Sequence, residues 1–326
     1  MHRHFASIPR ARPARSGLTR CAASARTRRR CSKPSRRRSR FCVGSDTLAP
    51  DGALIANKGF INSADGTRLA YRSWPVSGAK ITFAVVHGLG EHSGRYERFA
   101  DGMARHGMAT YAVDLRGHGE SEGRRGHVDA WSQWIEDATA FVSHVESQAS
   151  GEVVPLGHSF GGVVMLSTIR SSKLAHARRF VLSSPALKLK AKVPAWKTSL
   201  GKVMASIAPR LTLENEVDAG TVSRIPEVVA AYRADPLVHG KISSRLYAEW
   251  QHAAAENLEH AGDIRIPFLI LAGTADRLID FEGSKELHAR APQASELLLL
   301  EGRYHEPFND LGSEEVFDLI ADWLKK

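Results

Sequence analysis

Cysteine is scarce in this sequence and unevenly placed. The chain has 3 cysteines among 326 residues, and Cys21, Cys31 and Cys42 all lie within the first 45 residues. The rest of the chain therefore has no thiol with which to form a disulfide or to bind a metal through sulfur. It also has no CxxC, HExxH or paired-acid spacing typical of a metal site. We expect neither a metal nor a resident cofactor.

Acidic residues are missing from residues 1–45, which hold thirteen arginines and Lys33. Removing these 14 basic residues from the total of 45 leaves 31 against 35 acidic residues, so the remainder carries about −4. The net charge of +10 therefore comes from the first segment, and we expect no nucleic-acid binding by the body. The segment is rich in Arg, Ser, Ala and Pro and poor in large apolar residues, which predicts disorder.

Residues 1–45 have three interpretations that the composition leaves open. They resemble an organellar transit peptide, an arm for nucleic acid or an anionic membrane, or translated sequence upstream of the true start. A twin-arginine or Sec signal is excluded because no apolar segment of adequate length follows Phe41. No apolar run anywhere approaches the roughly 20 residues of a membrane-spanning helix. We predict a linker over residues 46–57 and a cytoplasmic location.

Residues 58–326 alternate short apolar runs with amphipathic segments of helical length. A turn at Asp65-Gly66 separates two alternating strands, which predicts an antiparallel hairpin. The buried strands that follow begin near Ile81, Met108, Val153, Arg179, Ile266 and Glu296. This pattern predicts an α/β fold with a mostly parallel central sheet and helices on both faces.

The alternation is interrupted between Ala186 and about Asp263, where the sequence reads as helical with no strand-like run. We predict an inserted helical cap over the carboxyl ends of the strands, where open α/β sheets bind ligands. Its apolar residues would form a lid or channel for an acyl chain, or would only pack the cap onto the body. They are Val193, Trp196, Leu200, Val203, Met204, Ile207, Leu211 and Leu213.

The stretch VVPLGHSFGGVVML predicts a strand, a sharp turn and a helix, with Ser159 at the turn. Gly157, Ser159 and Gly161 form the G-x-S-x-G pattern of a nucleophile elbow. The turn holds the serine in a strained conformation that leaves no room for side chains two residues away on either side. Ser159 is therefore the candidate nucleophile.

Two further side chains follow the ends of later predicted strands. Asp276 lies in the loop GTADRLID, and His305 lies in EGRYHEPF. In the order Ser, acid, His they complete a catalytic triad. Asp280 is an alternative acid, but it lies four residues further along and nearer to the helix that begins around Glu282.

A serine hydrolase also needs two backbone N–H donors for the oxyanion. Phe160, which follows the nucleophile, would supply one, and Leu89 in the glycine-rich loop HGLG would supply the other. Glu91 and Arg95 follow that loop and are candidates for contact with the polar part of a substrate.

In combination these motifs resemble the monoacylglycerol lipase and lysophospholipase-like serine hydrolases of the α/β-hydrolase superfamily. The resemblance covers roughly residues 57–326. It rests on HGLGEHSGRY, DLRGHGESEG, GHSFGG, the DPL of Asp235–Leu237, GTADRLID and YHEPF, in the family's order. It implies Ser159, Asp276 and His305 as the triad and Leu89 and Phe160 as the oxyanion donors.

The resemblance does not settle the acyl donor, but the apolar cap suits an acyl chain. We therefore predict a lipid ester of the monoacylglycerol or lysophospholipid type as substrate, with peripheral membrane contact through the cap. A short-chain carboxylesterase acting on small or aromatic esters is the alternative. An acyltransferase and a non-catalytic binding protein are further alternatives, because an acyl-enzyme is common to hydrolysis and acyl transfer.

Overall fold

The computed structural model describes residues 54–191, 203–214 and 217–326. The predictions for residues 1–45, and those for Val193, Trp196 and Leu200 in the cap, lie outside the described residues.

The body is built on one eight-stranded sheet, and its elements follow in chain order. They are β1 (Asn57–Asn62), β2 (Arg68–Trp74), β3 (Ile81–Val86), α1 (Glu97–Arg105), β4 (Ala109–Val113), α2 (Ser132–Gln148), β5 (Glu152–His158), α3 (Phe160–Arg170) and β6 (Phe180–Ser183). After these come β7 (Thr212–Glu214), α4 (Pro226–Ala234), β8 (Lys241–Ser243), α5 (Ser244–Glu259), β9 (Phe268–Gly273), α6 (Glu282–Arg290), β10 (Ser295–Leu300) and α7 (Ser313–Trp323).

The strand order in the main sheet is β1-β2-β4-β3-β5-β6-β9-β10. β1 and β2 form the predicted hairpin, with Asn57 opposite Ser73 and Gly66 at φ 85° in the turn. β2 is antiparallel to β4. From β4 to β10 in this spatial order, every pair of neighbouring strands is parallel. The central strands β3, β5, β6 and β9 are almost completely buried, as expected of parallel strands covered on both faces.

The sheet separates two apolar cores. On one face, α2, α3, α5 and α6 cover the strands, and Trp134, Phe141 and Phe160 are buried there. On the other face, α1 and α7 bury Phe99 and Phe317 against the strands. The predicted α/β architecture is therefore confirmed.

The prediction that residues 186–263 contain no strand is wrong. β7 pairs with β8 as an antiparallel ribbon, with Thr212 opposite Ser243 and Glu214 opposite Lys241. Strands of three residues are too short to show an alternating pattern, and the partners lie almost thirty residues apart. Helical segments do occupy much of the region, including residues 203–207, α4 and α5.

Helix α5, the last of this region, packs beside the sheet. Trp250 Nε1 donates a hydrogen bond to the Ala186 carbonyl at 3.0 Å, and Asn257 Nδ2 donates to the Val163 carbonyl of α3 at 2.9 Å. The Trp250 ring also contacts Phe160 edge to face, with centroids 5.8 Å apart. These contacts attach the end of the predicted cap to the helix that follows Ser159.

Among the described residues, no helix is long and apolar enough to cross a membrane.

The aromatic cluster beneath α3 gives a stability prediction. Trp134 is fully buried and contacts Trp131 and Phe160 edge to face, at centroid distances of 5.3 and 5.0 Å. We expect Trp134→Ala to lower the free energy of unfolding by about 3–5 kcal/mol, because it removes a large side chain from a close-packed core. Chemical denaturation measures this. Leu319→Ala, at an exposed position of α7, is the control, and an equal effect of both substitutions would contradict the packing described.

Candidate active site

Ser159 occupies the sharp turn between β5 and α3. Its backbone has φ 52° and ψ −117°, a conformation that side-chain-bearing residues rarely adopt. The Ser159 N–H donates to the Ser183 carbonyl at 2.9 Å, and the Ser159 carbonyl accepts from Gly162 and Ala186, each at 3.0 Å. Backbone hydrogen bonds from two sides therefore hold the turn in place.

The glycines of the pattern allow the close approach that the turn requires. A Cβ added to Gly157 would lie 2.5 Å from the Gly161 carbonyl oxygen. A Cβ added to Gly161 would collide with the carbonyl oxygens of Val86 and His87 at the end of β3. Larger residues at these positions would force the helix away from the sheet.

His305 and Asp276 meet Ser159 from the loops after β10 and β9. Ser159 Oγ lies 2.9 Å from His305 Nε2, and His305 Nδ1 lies 2.7 Å from Asp276 Oδ2. Asp276 Oδ1 accepts from the N–H groups of Leu278 and Ile279 at 2.8 and 3.0 Å. All three side chains are buried. With its Nδ1 proton directed at Asp276, His305 presents Nε2 to accept the serine proton.

Asp276 and His305 alter each other's pKa. Burial acts to raise the pKa of Asp276, but the charge and hydrogen bond of His305 bring it below its ordinary value. Burial acts to lower the pKa of His305, but the Asp276 carboxylate brings it above its ordinary value.

Asp280, the alternative acid, accepts from the N–H of Glu282 at 3.2 Å and lies 3.9 Å from Lys190.

The loop after β3 lies directly against Ser159. A Cβ added to Gly88 would be 3.3 Å from Ser159 Cβ. His87 Nδ1 donates to the Gly88 carbonyl at 2.6 Å, and His87 Nε2 accepts from the Leu115 N–H at 3.0 Å. The Gly88 carbonyl and the Leu89 N–H belong to one planar peptide unit, so His87 fixes the direction of that N–H.

Phe160 is the first residue of α3. Its N–H therefore belongs to the first turn of the helix, where backbone N–H groups have no acceptor within the helix. Its side chain is fully buried among Trp131, Trp134 and Trp250. The side chain thus anchors the helix, and the backbone N–H lies next to Ser159.

Glu91 and Arg95, the candidates for contact with the polar part of a substrate, form a buried ion-pair cluster. Glu91 Oε1 accepts from the Gly88 N–H at 2.6 Å and from Tyr96, while Glu91 Oε2 accepts from Arg95 Nε at 2.9 Å. Arg95 also pairs with Glu306, and its guanidinium lies 4.4 Å from the centre of the Tyr232 ring.

Arg95 is the cation that both carboxylates of this cluster, Glu91 and Glu306, contact, so one positive charge faces two negative charges. Burial acts to raise the pKa of Glu91, but Arg95 brings it to about 2. Both carboxylates that line the cavity here, Glu91 and Glu306, are thus bonded to Arg95, which itself does not line the cavity. The sequence shows that a charged run follows the loop. It does not show that this run is buried, because Glu306 is 211 residues away from Arg95.

A cavity of about 450 Å³ opens above Ser159 and His305. Its wall is mostly apolar and includes Leu89, Leu189, Val217, Val222, Ile242, Tyr247, Trp250, Leu278 and Ile279. Val217, Val222, Ile242, Tyr247 and Trp250 lie within the predicted cap range, so the region after β6 supplies much of the wall.

His158 lines the cavity beside the triad, and the sequence analysis did not single it out. Its Nδ1 lies 3.1 Å from the Ser183 carbonyl, and its ring centroid is 5.0 Å from that of His305. Burial and the neighbouring His305 lower the pKa of His158 to about 4. The sequence signal that could have identified His158 is its position inside the G-x-S-x-G pattern, directly before Ser159.

No cluster of side chains able to hold a metal ion occurs in residues 54–191, 203–214 and 217–326.

Comparison with known proteins identifies the family. The family model described as "Serine aminopeptidase, S33" matches residues 78–312. The chain belongs to this α/β-hydrolase family. It is 34% identical over 263 residues to a monoacylglycerol lipase of Mycolicibacterium smegmatis, covering 79% of this chain and 93% of that protein. It is 32% identical to the human monoglyceride lipase, covering 81% of this chain and 89% of that protein.

A longer relative and a solved structure agree with this assignment. An uncharacterized abhydrolase domain-containing protein of Dictyostelium discoideum is 33% identical, and the match spans only 28% of its length. The crystal structure of Paleococcus ferrophilus monoacylglycerol lipase has a TM-score of 0.67 and 32% identity, covering 83% of this chain and 98% of that one. The predicted superfamily, its monoacylglycerol lipase-like branch and the enzyme class, a carboxylic ester hydrolase, are confirmed.

The coupling of His305 to Asp276 gives a prediction about proton binding. We expect the pKa of His305, followed by NMR, to lie above the ordinary 6.5. Asp276→Asn removes the opposing charge and leaves burial to dominate, so the pKa should fall below that value.

Asp280→Asn is the matched control and should leave the His305 titration unchanged. A pKa that responds to Asp280→Asn and not to Asp276→Asn would contradict the geometry of the site.

Proposed function

We propose that this protein is a serine hydrolase that cleaves monoacylglycerol or lysophospholipid-type esters through an acyl-enzyme on Ser159. The observation that carries the proposal is the chain of hydrogen bonds from Ser159 through His305 to Asp276 at the base of an apolar cavity. The relatives named as monoacylglycerol and monoglyceride lipases support the choice of substrate.

In the first half-reaction, Ser159 Oγ attacks the ester carbonyl and His305 Nε2 takes the hydroxyl proton. Asp276 holds the imidazole through Nδ1 and stabilises the imidazolium that forms. The carbonyl oxygen becomes an oxyanion that accepts from the N–H groups of Leu89 and Phe160. His305 then gives its proton to the leaving alcohol, and the acyl group remains on Ser159.

In the second half-reaction, water attacks the acyl-enzyme and gives a proton to His305. Collapse of the tetrahedral intermediate releases the fatty acid and returns the proton to Ser159. His158 stays neutral beside His305, since its pKa is about 4, and so adds no positive charge that would oppose formation of the imidazolium.

The mostly apolar wall of the cavity favours an acyl chain as the group that binds. Leu189, Ile242, Trp250 and Leu278 offer apolar contact, and burial of each methylene contributes about 0.8 kcal/mol. The polar alcohol would bind near Glu91 and Glu306, where Arg95 is bonded to both carboxylates.

The short-chain carboxylesterase stays as the second candidate. The same triad serves both functions, and the preferred chain length distinguishes them. Acyl transfer would use the same acyl-enzyme with an alcohol in place of water.

We further propose that the cap makes peripheral contact with a membrane. Several large apolar side chains of the cap are exposed, among them Val203, Ile207, Leu211 and Leu213. Val203 and Ile207 are four residues apart in a helical segment and so share a face. A lipid substrate would enter the cavity from such a surface. A cytoplasmic location stays a prediction.

An ester series tests the proposed function. Hydrolysis of p-nitrophenyl esters from acetyl to palmitoyl, and of monoacylglycerol, should rise with chain length because each methylene adds apolar contact. Ser159→Ala should lower kcat by roughly 10⁴-fold or more. A preference for the shortest ester would favour the carboxylesterase, and activity surviving in Ser159→Ala would contradict the mechanism.

Vesicle binding tests the membrane contact. Ile207 and Leu213 are 73% and 65% exposed and do not line the cavity, so Ile207→Asp and Leu213→Asp should leave hydrolysis of a soluble short ester unchanged. Each should weaken co-sedimentation with phosphatidylcholine vesicles roughly tenfold, because a charge replaces an inserted apolar side chain.

Leu319→Asp on α7 is the matched control for vesicle binding and should leave it as in the wild type. Unchanged binding by both cap variants would contradict the membrane contact.

A further inference from the structure

The segment Asp235–His239, which we call the cap strap, lies against residues His87–His92, which we call the oxyanion loop. The strap follows α4, and Pro236 restricts Asp235 to extended backbone, as observed at φ −78° and ψ 115°. The sequence motif DPL falls in this segment, and the proposed mechanism gives it no role.

The first connection between strap and loop joins two backbones. The His239 N–H donates to the Gly90 carbonyl at 2.8 Å. Gly90 has φ 79°, and a Cβ there would collide with the His239 carbonyl oxygen. The approach is therefore close enough to require glycine at position 90, directly after Leu89.

The second connection joins two side chains. His92 Nε2 donates to Asp235 Oδ2 at 2.7 Å, and His92 Nδ1 accepts from the Gly94 N–H at 3.1 Å. His92 is buried at the far end of the oxyanion loop. The two nitrogens have opposite roles, which fixes the proton on Nε2 and makes Asp235 its acceptor.

Asp235 needs both of its carboxylate oxygens. Oδ1 accepts from the Leu237 N–H at 2.8 Å and so holds the strap in its own turn, while Oδ2 holds His92. An asparagine at this position has only one acceptor oxygen, so it would lose one of the two hydrogen bonds in either orientation.

The strap also reaches, through His118, the histidine that orients the Leu89 peptide. The His239 ring centroid is 4.9 Å from that of His118, and the His118 ring is 5.1 Å from that of His87. His87 in turn donates to the Gly88 carbonyl. Contacts from the strap therefore reach the peptide unit of Leu89 from both sides.

We propose that the cap strap positions the Leu89 N–H for the oxyanion. Within the strap, Asp235 is the positioning residue, and it acts through its hydrogen bond to His92. The proposal rests on the proposed function, in which Leu89 is an oxyanion donor. Asp235 does not line the cavity above Ser159, so it touches neither the nucleophile nor the substrate.

A positioning role for Asp235 can be distinguished from a general effect on folding, because it lowers kcat and leaves KM nearly unchanged. Loss of one complete oxyanion donor lowers kcat about 10²–10³-fold, so a displaced donor should cost roughly tenfold. We expect Asp235→Ala to lower kcat by that factor with KM within about twofold of wild type. Melting temperature and the fraction of folded protein are measured in parallel.

A long-chain trifluoromethyl ketone gives the decisive readout. Ser159 Oγ adds to its carbonyl carbon, the hydroxyl proton passes to His305, and the oxygen becomes an anion in the position of the oxyanion. Affinity for this ketone should fall by the same factor as kcat in Asp235→Ala. His92→Ala should behave alike, and the double variant should be no worse than either single one.

Asp129→Ala is the matched control, because Asp129 also pairs with a histidine, His127, at 3.1 Å but is exposed and does not line the cavity. It should leave kcat and ketone affinity unchanged. Wild-type ketone affinity in folded Asp235→Ala would overturn the positioning role, as would an equal loss in Asp129→Ala. A wild type that neither cleaves esters nor binds the ketone would overturn the proposed function as well.

Discussion

The backbone of Ser159 is the constraint on which the rest of the site depends. A residue with φ 52° and ψ −117° costs about 1–3 kcal/mol relative to relaxed backbone, so the surroundings have to stabilise it. β6 does so through the Ser183 carbonyl, and Ala186 binds the Ser159 carbonyl from beyond the strand. Gly157 and Gly161 let β5, α3 and the end of β3 approach closely enough for these bonds to form.

Much of this arrangement follows from the sequence because it depends on local patterns. The hairpin turn at Gly66, the buried strands and the elbow each lie within a few residues of their own signal. Asp276 and His305 are distant in sequence, but both follow predicted parallel strands, and the carboxyl ends of such strands meet at one edge of the sheet. Their contact with Ser159 could therefore be expected without the structure.

Other features depend on partners that no local pattern identifies. The β7–β8 ribbon joins strands of only three residues. Glu91 and Arg95 form a buried pair, and Arg95 also contacts Glu306 and Tyr232, which are distant in the sequence. The charged run in the sequence led to the prediction that Glu91 and Arg95 contact a substrate, but it could not show this burial. His158 was overlooked, and the hydrogen bond between His92 and Asp235 was not predicted, because the two residues are far apart in the sequence.

The central claim is that Ser159 becomes acylated. The most direct measurement is intact-protein mass spectrometry after treatment with a long-chain fluorophosphonate, followed by peptide mapping. The account predicts one adduct per chain, located on Ser159, and a strongly reduced rate of labelling in His305→Ala. An adduct on another residue, or no adduct in a protein that still hydrolyses esters, would contradict it.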